Sequence, residues 1–75
     1  MPRSQHSARY KRFCALLVEA RRGKSLTQAE LAQRLSRPQS FVAKYEGGER
    51  RLDVVEFLEV AEALGVTAAK LIRDL

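Results

Sequence analysis

Seventy-five residues, 45% of them hydrophobic, with 14 Lys/Arg against 9 Asp/Glu and a net charge of +5, describe one small basic domain. No apolar run approaches the ~20 residues needed to cross a bilayer and no signal-peptide core opens the chain, so no membrane partner is expected and the cytoplasm is the expected location. Cys14 is the single cysteine and cannot close an intrachain disulfide, and His6, the single histidine, has no acidic or thiol neighbours with which to hold a metal.

The charge is unevenly placed. Residues 1–51 hold 12 Lys/Arg and 4 Asp/Glu, whereas residues 52–75 hold 2 and 5. A basic two-thirds joined to an acidic end implies a face turned toward a polyanion, the bland alternative being a merely solvated surface. Residues 1–7 are polar and aperiodic, and read as a flexible basic tail that either frays or follows DNA as an arm. Ser7 is suited to cap a first helix running to about Arg22 and ended by Gly23. Phe13, Leu16, Leu17 and Ala20 form its buried stripe, and Tyr10 either extends the core or lies on the surface. Cys14 reads as a small buried or half-buried side chain, with redox sensing or an intermolecular bridge as the alternatives.

Thr27 and Glu30 have capping-box spacing, which starts a second helix at Gln28 with Leu31, Ala32 and Leu35 on its apolar side. Ser36-Arg37-Pro38 interrupts that pattern, and Pro38 is tolerated in the first turn of a third helix over about 39–46. Gly47-Gly48 supplies a left-handed stop, followed at once by Arg50-Arg51. Asp53 and Glu56 repeat the capping box and open a fourth helix that ends at Leu64-Gly65. Its inner face is predicted as Val54, Leu58, Ala61 and Leu64, with Asp53, Glu56, Glu59 and Glu62 mostly outside. Thr67 caps a last helix from Ala68 to about Asp74. The fold is predicted to be all-α, with five helices, short loops and no sheet.

The third helix carries the chemistry. At about 100° per residue, Gln39, Ser40, Ala43 and Lys44 share one side and Phe41, Val42, Tyr45 and Glu46 the other. Eight residues make a rod about 12 Å long, matching the width of the B-DNA major groove. A glutamine there can pair with an adenine edge, a lysine can donate to guanine, a serine can serve base or phosphate, and Ala43 can touch a thymine methyl, each good pairing discriminating by ~1–3 kcal/mol. Phe41 either packs in the core or touches sugar or a thymine methyl. The free N–H groups at the start of the second helix favour a phosphate beside Gln28.

Leu26-Thr27-Gln28, Glu30-Leu31-Ala32, the three-residue turn, Val42, Glu46 and Gly48 together resemble the helix-turn-helix of phage Cro and cI-type repressors, the XRE family. The resemblance runs on through Asp53–Val66 and back into the first helix. It implies a compact lambda-repressor-like domain over residues 8–75 that binds DNA. It also implies base reading by Gln39, Ser40, Ala43 and Lys44, and phosphate contact by Gln28 and Gln33. Arg37, Arg50 and Arg51 join the phosphate set on charge and location. A further implication is an ion pair between Arg21 and Glu46, holding the recognition helix to the first helix. Two departures are Ser36, where the family has a turn glycine, and Pro38, where it has a serine or threonine cap.

Family members commonly act as dimers on half-sites about one helical turn, ~34 Å, apart. Phe57, Val60, Leu71, Ile72 and Leu75 are the candidate dimer surface, the alternative being that they complete a small core. The expected function is sequence-specific binding of double-stranded DNA as a homodimeric transcriptional regulator, a repressor rather than an activator because no polymerase contact is visible. The alternative is an antitoxin or protein-interaction module docking onto a toxin or another protein. No nucleophile–base pair and no phosphate-cradling glycine loop argues for an enzyme, and no cofactor is implied.

Overall fold

The computed structural model describes residues 7–73 and 75; the expected tail over 1–7, apart from Ser7, and the Asp74 end of the last helix lie outside the described residues. Five helices follow in order: α1 (Ala8–Gly23), α2 (Gln28–Leu35), α3 (Gln39–Glu46), α4 (Val54–Leu64) and α5 (Ala68–Arg73). No strand occurs among the described residues.

Local chemistry sets most of the helix ends. The Ser7 hydroxyl accepts the Tyr10 N–H at 3.0 Å. In both capping boxes the cap oxygen takes the N–H three residues on, while the glutamate there returns to the cap N–H: Thr27 with Glu30, at 3.0 and 2.8 Å, and Asp53 with Glu56, at 2.7 and 3.0 Å. Helix α1 departs from expectation by running through Gly23. The Lys24 and Leu26 N–H groups both close onto the Arg21 carbonyl, so the left-handed residue falls at Ser25 (φ 58°). Between α2 and α3 the left-handed position is Ser36 (φ 56°), and Pro38 caps α3 without a side-chain hydrogen bond. Of the glycine pair after α3, Gly48 alone is left-handed.

Leu17, Leu31, Val42, Tyr45, Val60 and Leu64 are fully enclosed, so α3 is pinned by its Val42/Tyr45 side between α1 and α2, while α4 packs against α2 and α5. Phe41 joins this core, its ring edge-on to Tyr45. Cys14 is buried and donates its thiol to the Tyr45 carbonyl at 3.5 Å, and burial pushes that thiol's pKa up. Tyr10 is half-buried against Phe13 and its hydroxyl accepts the Leu52 N–H.

Helix α4 is rotated from its predicted face. Phe57, Val60, Ala61 and Leu64 are inside, whereas Val54 and Leu58 are 73% and 50% exposed. So many apolar residues in eleven fit several registers, and the aromatic ring decides: Phe57 packs edge-on against Phe13, centroids 5.1 Å apart, burying more area than a valine there would. The expected dimer surface is corrected accordingly. Phe57, Val60 and Leu71 are core residues, and of that set Ile72 alone is exposed, with Leu75 half-buried.

Candidate nucleic-acid interface

Because Val42 and Tyr45 are fully enclosed, the opposite side of α3 faces out: Gln39, Ser40 and Lys44 are exposed and Ala43 is half-buried among them. A short rigid helix thus offers an amide, a hydroxyl, a methyl and an ammonium in one row.

Two side-chain clusters bracket that row. On the Glu46 edge, Arg21 crosses from α1 and donates Nε–H to Glu46 Oε2 at 2.8 Å and Nη2–H to Oε1 at 3.0 Å. Its Nη1 reaches the Leu26 carbonyl at 2.7 Å. The Gln28 amide adds a fourth hydrogen bond, to Glu46 Oε1 at 2.9 Å, so the guanidinium and one glutamine tie the ends of α1, α2 and α3 together. The Glu46 hydrogen bonds raise the Arg21 pKa further, keeping this buried group charged.

On the Phe41 edge, the guanidinium carbons of Arg37 and Arg50 lie over the same ring, 4.4 and 4.8 Å from its centroid. Arg50 donates to both Glu56 oxygens, at 2.9 and 2.7 Å. Arg37 stands at ion-pair distance from Glu56 and Glu59, 3.8 and 3.7 Å. The Arg50 hydrogen bonds, aided by the Asp53 N–H, hold the Glu56 carboxyl down at about 2, and the same pairing raises Arg50.

The remaining phosphate candidates are dispersed. Gln33 is exposed on α2, and Arg51 is exposed with its guanidinium 4.7 Å from the Tyr10 ring centroid. Gln28 is half-buried with its amide on Glu46. Sequence reasoning missed Glu56 as a partner of the arginines. A glutamate at the third position of a helix folds back over the cap, within reach of residues just before it, and that reach was the available signal.

Val54, Val55, Leu58 and Ile72 are also exposed. Among the described residues no helix is long and apolar enough to cross a membrane and no cluster of His, Cys, Asp and Glu is grouped to hold a metal ion.

Residues 12–73 match a family model described as a helix-turn-helix domain. Among solved structures, an XRE-family like protein from Pseudomonas syringae pv. tomato str. DC3000 superimposes with a TM-score of 0.88 at 49% identity, covering 92% of this chain and 84% of that one. The clp gene regulator ClgR from C. glutamicum shares the fold, with a TM-score of 0.80 at 23% identity over 87% of this chain and 83% of that one. No curated protein matches significantly.

Proposed function

The chain belongs to the XRE family of helix-turn-helix proteins, a DNA-binding transcription regulator, and we propose that it represses by laying α3 in the major groove of specific sites as a homodimer. One observation carries this reading: Gln39, Ser40 and Lys44 are bare while Val42 and Tyr45 on the same eight-residue helix are wholly enclosed. A polar row fixed on a rigid element is the arrangement that direct base readout requires. Gln39 suits adenine, Lys44 suits guanine, Ser40 either, and Ala43 a thymine methyl. Gln28, Gln33, Arg37, Arg50 and Arg51 supply the backbone anchors around them.

One module reads too few bases to be selective, so a second copy is part of the proposal. Its contact is assigned to the exposed apolar side chains Val54, Val55, Leu58 and Ile72.

Selection of bound sequences from a random duplex library tests the reading. The expected result is a two-fold-related motif, bound with a log–log salt slope of several units. Recovery of no motif overturns it.

A further inference from the structure

The Phe41 edge of the interface holds two cations that ought to repel. Arg37 and Arg50 both rest over one ring, and the Glu56 carboxylate stands against both of them. We infer that Glu56 is a positioning residue for DNA binding: with the Phe41 ring, it fixes Arg37 and Arg50 as a paired phosphate clamp along the Lys44 edge of α3. The inference rests on the DNA-binding reading above.

Three observations carry it. First, the placement is right, because at about 100° per residue Phe41 is the next position round α3 from Lys44, about 60° away. The guanidiniums over its ring therefore border the exposed row. Second, the donors are not used up. Arg50 spends both Nη1 hydrogens on Glu56 and the Arg51 carbonyl and one Nη2 hydrogen on Glu56, leaving Nε–H and one Nη2–H. Arg37 stands 3.7–3.8 Å from its carboxylates, beyond hydrogen-bond length, so its fork can turn to a phosphate oxygen. Third, Glu56 is itself immobile. Its side chain is 12% exposed, and its Oε1 also accepts the Asp53 N–H that starts α4. A carboxylate anchored to a helix start is a fixed reference; two arginines on free stems are not. Holding them in place before binding removes the entropy that each would lose on meeting DNA.

The test is Glu56→Gln, which keeps an oxygen for the Asp53 N–H and removes the charge. Glu62→Gln, an exposed α4 residue on which no ion pair is found among the described residues, matches the change in net charge. Affinities are measured on the site selected by the wild-type protein and on a scrambled duplex, across salt. Glu56→Gln is expected to weaken the selected site about tenfold and to reduce the salt slope by about one to two, the loss of one or two phosphate contacts. Scrambled DNA is expected to be weakened as well, because phosphate contacts carry no sequence information. In an Arg50→Gln background the further change Glu56→Gln is expected to cost much less than it does alone, because the two residues act as one unit. A loosened fold would instead cost the same in both backgrounds, which would overturn the inference. So would a Glu56→Gln protein that binds as tightly as Glu62→Gln. A wild-type protein that selects no sequence removes the DNA-binding reading, and this inference with it.

Discussion

Arg21 and Glu46 face each other as a two-point fork, Nε–H to Oε2 at 2.8 Å and Nη2–H to Oε1 at 3.0 Å, with side chains only 10% and 6% exposed. This pair fixes the end of α3 to α1. Truncating Arg21 to alanine strands a buried carboxylate, so chemical denaturation is expected to show a loss of about 3–5 kcal/mol. Arg21→Lys should recover only part of it, since an ammonium cannot span both carboxylate oxygens and the Leu26 carbonyl as the fork does. A loss below about 1 kcal/mol for the alanine variant would mark the pair as no stronger than an exposed one.

Ser36 makes the left-handed turn between α2 and α3 with φ 56°. A side chain in that region costs roughly 1–2 kcal/mol, whereas glycine carries no such penalty but loses roughly 0.5–1 kcal/mol of backbone entropy. The net expectation for Ser36→Gly is a gain of about 0.5–1 kcal/mol, read as a raised melting temperature. Unchanged DNA affinity should accompany it, because the turn geometry is retained.

Acid stability should report Glu56. Its folded pKa of about 2 lies below the ordinary 4.5, so the stabilisation it contributes is complete above pH 4.5 and is lost as pH falls toward 2. Denaturation followed from neutral pH downward should show little change from this group until about pH 5, then a decline. In Glu56→Gln that decline should be shallower; an identical profile would remove Glu56 from the acid response.

Self-association separates the inner from the outer face of α4. Leu58 is 50% exposed, so Leu58→Glu is expected to leave the helices intact by circular dichroism while shifting sedimentation from dimer toward monomer at micromolar concentration. Phe57→Ala, inside the core, should instead cost about 3–5 kcal/mol of stability. A wild-type protein that sediments strictly as a monomer, with and without DNA, removes the dimer from the proposal.

What could be seen in the residues was whatever short-range chemistry decides. Thr27/Glu30 and Asp53/Glu56 act over three positions, and the two sides of α3 follow from one helical period, so these elements and the exposed row on α3 were legible. The face of α4 was not, because its apolar residues satisfy more than one stripe and only packing against Phe13 selects Phe57 over Val54. Gly23 misled for a similar reason: the carbonyl of Arg21 closes the turn and moves the left-handed residue to Ser25. The Arg21–Glu46 pair spans 25 positions and was reached through family resemblance alone. The Arg37–Glu56–Arg50 group needed the third dimension, since it forms where the ends of α3 and the start of α4 meet at the Phe41 ring.

The proposed role of the exposed α3 row is tested most directly by comparing wild type, Lys44→Ala and Arg51→Ala across all single-base variants of the selected site. Lys44→Ala should relax preference at particular positions by ~1–3 kcal/mol, while Arg51→Ala should weaken every variant alike. If Lys44→Ala also weakened all variants equally, α3 would not be reading bases through this flank.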